Sequence, residues 1–323
     1  MEAAGLPAIQ LRLDRRQLAL VVLLLVLAAI GWLVTDDRMA GMDAGPGTDP
    51  GSLGFYVTAW VVMMAAMMFP SAAPMVVTYA RIQGRRRELG KQGAGRGVTA
   101  VFVGGYLLAW TAFGLFAYAL LDLIRSLDVE VFSWDRGGPY LAGGVIVAAA
   151  TYQLTPLKDV CLSHCRGPLA FILGHFRAGY GGALRTGLEH GGWCVGCCWA
   201  LMAALFAVGV MSVGWMVFVA AMIAVEKMLP WKAVANRGIA VLLLVLGLSV
   251  AFWPERVPGL TLPDSPEAHE AMMQMDGGSM EGGPMKDDSM KMKDDSMKQG
   301  GSMKDESMKK ESMKKESMRE HSR

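Results

Sequence analysis

The chain has 323 residues, 53% of them hydrophobic, with 25 methionines, five cysteines and a formal net charge of +2. Five cysteines are too few for a disulfide scaffold, and the apolar content is too high for a wholly disordered chain. So small a net charge gives no basic field, which excludes nucleic acid as a partner. The apolar residues gather into long runs, which argues against a soluble globular domain.

Composition divides the chain. Residues 1–254 hold all five cysteines and carry +5, while residues 255–323 have no apolar run, hold 12 of the methionines and carry −3. The expected organisation has three parts. These are an anchor helix with an outer loop (1–54), a helical membrane metal-binding domain (55–254) and a tail (255–323).

In chain order the apolar runs are 18–34, 55–80, 98–121, 139–154, 193–210, 214–228 and 238–253. About 20 apolar residues cross the ~30 Å hydrocarbon core as a helix. The expected fold class is therefore all-α: a polytopic helical membrane protein with about seven transmembrane helices in a lipid bilayer. Gly209, Ser212 and Gly214 offer a tight turn between the fifth and sixth runs, and Trp32, Trp193, Trp231 and Trp253 stand at run ends, as interfacial belts require. With the N-terminus inside, the inner segments carry 16 Lys/Arg and the outer loops 3. That asymmetry predicts an inside N-terminus and a periplasmic or extracellular tail, in a bacterial inner membrane. Arg12, Arg15 and Arg16 precede the first run as in a signal peptide. No small-x-small cleavage site closely follows it, so an uncleaved anchor is expected.

The second run carries a methionine stripe. Met63 and Met67, and Met64 and Met68, are spaced i, i+4, and Pro70 removes a backbone donor just beyond them, so a kink is expected there. Thioethers are soft ligands that favour Cu(I). The Met-x-x-x-Met step is similar, in spacing alone, to the pore motif of eukaryotic copper transporters. The competing reading is packing, since methionine fills gaps between helices.

The cysteines form two groups. Thr155 can cap a helix with Pro156 in its first turn, which Pro168 ends. In that helix Cys161, His164 and Cys165 are spaced i, i+3, i+4 and share a face. In the second group Cys194, Cys197 and Cys198 follow His190 at offsets of 4, 7 and 8, within an arc of about 100°. Cys197 and Cys198 are neighbours whose side chains should diverge by about 100°, so Cys194 and Cys197 are the expected pair. One lone cysteine is usually a small buried hydrophobe, but five in two groups, each with a histidine, point to metal. Copper, as Cu(I), is the expected ion and zinc the lesser alternative. His175 falls outside both groups and is read as an interfacial histidine. Glu226 beside Lys227 is read as an interfacial pair rather than a proton-coupling acid.

In the tail, Ser-Met recurs at Met280, Met290, Met297, Met303, Met308, Met313 and Met318, the last four five residues apart. A period of five fits neither a helix face nor a strand face, so the tail is expected to be disordered. It resembles the pentapeptide Met-Lys-acid repeats of small exported bacterial proteins, and its thioethers would collect copper outside the membrane.

Three segments carry a wider resemblance: the stripe from Met63 to Met75, the segment from Tyr152 to Pro168 and the segment from Gly187 to Met202. Together they resemble the signatures of an uncharacterised bacterial family of predicted metal-binding integral membrane proteins, over about residues 55–250. The resemblance implies a metal site at Cys161, Cys165, His190, Cys194, Cys197 and Cys198. The expected function is copper homeostasis by binding, relay or transport. No phosphate loop is visible, so ATP-driven pumping and enzymatic activity are not expected. Two alternatives remain. One is a membrane thiol-disulfide oxidoreductase using Cys194 and Cys197, with Cys161 or Cys165 resolving. The other is an accessory factor that delivers copper, with a copper chaperone or a metalloenzyme as partner.

Overall fold

A computed structural model describes residues 14–39, 51–91, 93, 95–126 and 137–262, with a few isolated positions beside these stretches. The chain divides into two units, Met1–Gln274 and Met275–Arg323. The second unit, and with it nearly all of the Ser-Met repeat tail, lies outside the described residues.

Among the described residues there are nine α-helices and no strand. They are α1 (Arg15–Met39), α2 (Leu53–Glu88), α3 (Val98–Ser126), α4 (Gly138–Tyr152), α5 (Pro156–Arg166), α6 (Pro168–His175), α7 (Gly179–Val208), α8 (Val213–Met228) and α9 (Lys232–Phe252). α1, α2, α3, α7 and α9 are long and apolar enough to cross a membrane. α4 and α5 pass the same test only as a pair, bent by 68°. With 15 and 16 residues, α4 and α8 are only about 22–24 Å long, short of a ~30 Å core. The count by length is thus five, or six with the bent pair, below the seven expected.

Side-chain contacts fix how the helices run. Gly31 of α1 packs on Val62 and Ala66, and Arg81 of α2 donates to Gln17, so α1 and α2 are antiparallel. Trp60 of α2 donates to the carbonyl of Trp110 on α3, while Tyr79 stacks on Phe102, so this pair is antiparallel too. α4 and α9 are antiparallel, with Gly143 against Gly247 and Ala251 and Gly247 against Val147. α3 and α7 are parallel: Phe102 meets Gly187, and Tyr106 and Ala109 meet Gly191. Glycine is required there, because a Cβ on Gly191 would stand 2.6 Å from the Cβ of Ala109. Small residues let two helix backbones approach this closely. Two parallel helices joined by one chain need a segment running back between them, and α4, α5 and α6 lie in that stretch of the chain.

α7 begins at Gly179, before the apolar run at 193–210, and carries His190, Cys194, Cys197 and Cys198 on one helix, as their offsets require. α2 runs as one helix through Pro70 and Pro74. The Ser71 hydroxyl, beside the first proline, donates to the carbonyl of Met68.

Candidate metal centre

α5 is positioned from its first residue. Thr155 Oγ1 accepts from the backbone N–H of Lys158, as a capping threonine should, with Pro156 next in line. Along the helix, Lys158 reaches both carboxylate oxygens of Glu226 on α8 at 2.8 Å. Gln153 donates to the same carboxylate at 2.6 Å. The two charged side chains are 1% and 0% exposed, so this is a fully buried ion pair. Asn236 of α9 donates to Asp159. Arg166 closes the end of α8 by donating to the carbonyls of Glu226 and Leu229, groups a helix C-terminus leaves without partners. α5 is thereby tied to α8 and α9 by polar contacts over its whole length.

That placement presses one face of α5 onto one face of α7. Cys161 sits at Gly196, whose missing Cβ makes the room. His164 stacks on Trp193, ring centres 4.1 Å apart and 4° from parallel. Cys165 meets Cys197, sulfur to sulfur at 3.7 Å. The shared face of Cys161, His164 and Cys165 is real, but it delivers only Cys165 to the other cysteines.

The sulfurs of Cys165, Cys194 and Cys197 all lie within 4.8 Å of one another. Bonds of about 2.3 Å from ion to sulfur put sulfurs about 3.8 Å apart on a tetrahedral ion and about 4.0 Å on a trigonal one. The three sulfurs therefore fit one ion. Cys198 borders the group, its sulfur 3.3 Å from that of Cys197. This corrects the expectation that the two neighbours diverge. A 100° step separates their Cβ directions, but rotation about each Cα–Cβ bond swings the sulfurs together. All five cysteines are free thiols. Cys194, Cys197 and Cys198 are buried and Cys165 is partly exposed.

The polar surroundings of the sulfurs come from three further helices. Tyr106 of α3 lies 3.2 Å from the Cys194 sulfur. Lys227 of α8 lies 3.0 Å from the same sulfur and 3.4 Å from the Ser71 hydroxyl of α2. Lys227 thus supplies a positive charge to a site where thiolates would gather. This overturns the reading of Glu226 and Lys227 as one interfacial pair. Successive helix positions point about 100° apart, so Glu226 faces Lys158 and Lys227 faces Cys194.

The remaining candidates stand around this group. His190, 3% exposed, lies among the rings of Phe102, Tyr106 and Phe171, with Nδ1 unpartnered. Met63, Met64, Met67 and Met68 are 0–3% exposed and belong to the same buried cluster as Cys194, Cys197 and Cys198. His175, read as interfacial, stacks on Phe171.

A family profile described as PpoB2, copper chaperone, matches residues 57–250. The chain belongs to this family. No curated protein and no solved structure matches it. The PpoB2 segment contains every cysteine, His164, His175, His190 and the methionine stripe, and it leaves out α1 and the tail. Within it, sequence reading passed over Tyr106, Lys158, Ser71 and the true direction of Lys227. The available signal was charge: an ionisable residue inside an apolar helical segment is functional by default, and Lys227 and Glu226 are two of very few.

Proposed function

We propose that this PpoB2 protein is a membrane-embedded copper carrier that holds Cu(I) on Cys165, Cys194 and Cys197, with Cys198 at the edge, and passes it to a partner protein. The observation that carries the proposal is the convergence of three sulfurs from two helices at distances that suit one ion. Thiolates select soft ions, which favours Cu(I) over zinc, and the family description points the same way. Lys227 offsets part of the negative charge that three thiolates would bring. Cys165 is the ligand of exchange, because it alone of the three keeps some exposure and an incoming thiol would meet it first. The four methionines form a soft apolar wall behind the site. The chain acts as a carrier, with no reaction of its own.

In the same proposal the chain crosses a bacterial inner membrane seven times from an inside N-terminus, α4 and α8 being short crossings. The parallel run of α3 and α7 supports a crossing by α4 between them. The excess of Lys/Arg on the proposed inner segments supports the orientation. The tail then lies outside, where its methionines would gather copper weakly.

The test is metal analysis of the purified full-length protein after Cu(I) loading against a competing chelator, beside Cys194→Ser/Cys197→Ser. The wild type is expected to retain copper with sulfur ligands, and the double variant to lose that copper. A wild type without bound copper, but with a reducible Cys194–Cys197 disulfide, would favour the oxidoreductase alternative and end the proposal.

A further inference from the structure

Three histidines surround one aromatic ring beside the sulfur group. The Phe171 ring centre lies 4.5 Å from that of His175, 5.3 Å from His190 and 6.5 Å from His164. These come from three helices, α5, α6 and α7, and none of the three residues is needed to complete the three-sulfur site.

Two of them share an arrangement that prepares an imidazole for metal. Nδ1 of His164 lies 2.8 Å from the carbonyl oxygen of Val160, and Nδ1 of His175 lies 3.0 Å from that of Phe171. A carbonyl oxygen only accepts, so in both rings Nδ1 bears the proton. The neutral ring then keeps its lone pair on Nε2, and neither Nε2 has a hydrogen-bond partner among the described residues. A backbone carbonyl that fixes the tautomer is the usual outer support of a metal-bound histidine. Stacking on Trp193 and Phe171 fixes the planes of the two rings as well.

Their separation suits a single ion. The ring centres of His164 and His175 are 6.4 Å apart. A metal–nitrogen bond of about 2.0 Å, with about 1.1 Å from nitrogen to ring centre, puts two imidazoles on a linear ion about 6.2 Å apart. Two-coordinate linear binding is a geometry that Cu(I) accepts, and imidazole is a suitable ligand for copper. Both side chains are only partly buried, so an ion has access to them.

We propose that His164 and His175 form a second Cu(I) site, a two-imidazole station from which copper passes to the thiolates. The station neighbours the sulfur group along the chain, His164 preceding Cys165 in α5. Buried His190, with its unpartnered Nδ1, lies against Phe171 and Tyr106, one helical turn before Cys194. Imidazole is the weaker ligand for Cu(I) and thiolate the stronger, so an ion arriving at the histidines would move on to the cysteines. No change of oxidation state is involved. The inference rests on copper being the cargo of the thiolate site.

The experiment uses the full chain with Cys165, Cys194, Cys197 and Cys198 all changed to Ser, loaded with Cu(I) alone under chelator competition. It is compared with the same protein carrying His164→Phe/His175→Phe. Phenylalanine keeps both ring stacks and removes Nε2. The expected result is one copper equivalent fewer in the histidine variant, together with loss of nitrogen scattering in the copper X-ray absorption spectrum. Equal copper content in the two proteins overturns the proposal. Should the four-serine chain not fold, the same histidine pair is changed in the wild-type background. There the copper number should fall by one while the thiolate-to-copper absorption band persists, and an unchanged number overturns the second site. Absence of the thiolate band from the wild type instead overturns the carrier reading itself, so the two failures are distinct.

Discussion

The molecule holds two sets of soft sulfur side chains in one buried cluster, and they are built differently. The methionine stripe lies on a single helix, α2, with every side chain 0–3% exposed. The thiol group draws on two helices, keeps one partly exposed member in Cys165 and has a charged neighbour in Lys227. Softness is common to both sets. Convergence from separate elements, access and counter-charge belong to the thiols alone, and these are what an exchangeable metal site needs.

The sharpest test of that contrast is the thiol group itself. Cys194→Ser/Cys197→Ser should weaken Cu(I) binding at this site by more than about a hundredfold, since two of three soft ligands become hard ones. Chelator competition measures it. The next largest effect concerns the clamp that brings α5 to α7. Glu226→Ala leaves Lys158 as an uncompensated buried charge and should destabilise the fold by about 3–5 kcal/mol, read by denaturant unfolding in detergent. Retained stability would mean that α5 is held by its apolar contacts instead. Lys227→Met keeps the side-chain length and removes the charge. It should lower Cu(I) affinity about tenfold, or about 1.4 kcal/mol, with little change in stability. Gly191→Val would wedge α7 away from Ala109 and Tyr106, at a cost of about 1–3 kcal/mol. Smallest of all, Met64→Leu/Met68→Leu conserves volume. It should cost less than about 1.5 kcal/mol and leave the copper number unchanged. Loss of a copper equivalent there would erase the contrast and bring the stripe into coordination.

The two short helices bear on the same contrast. α4 ends at Tyr152, whose hydroxyl donates to the carbonyl of Gly196 in the thiol helix. α8 ends just past Glu226 and Lys227. Both helices stop at the level of the sulfur group, and α5, with Arg166 on the last carbonyls of α8, fills the space beyond them. A helix that stops early leaves polar backbone groups; Arg166 of α5 meets those of α8, and the turn residues Leu154 and Thr155 meet those of α4.

Helix positions were largely legible in the chain. The expected runs at 139–154 and 214–228 coincide within a residue or two with α4 and α8, and the Thr155 cap was readable because capping is local. α7 was read too short. Its first third, rich in glycine and charge, does not look like a membrane helix until α3 and α6 are packed against it.

By itself the sequence determined an all-helical chain, soft ligands gathered in two segments and a distinct methionine tail, because helical periodicity and hydropathy act over a few residues. Tertiary structure decided which of those ligands meet. It joined Cys165 to Cys194 and Cys197, set His164 and His175 apart from them, and sent Glu226 and Lys227 to different partners. Those outcomes depend on how α5 folds back onto α7 and α8, through contacts between residues more than thirty positions apart that no local pattern encodes.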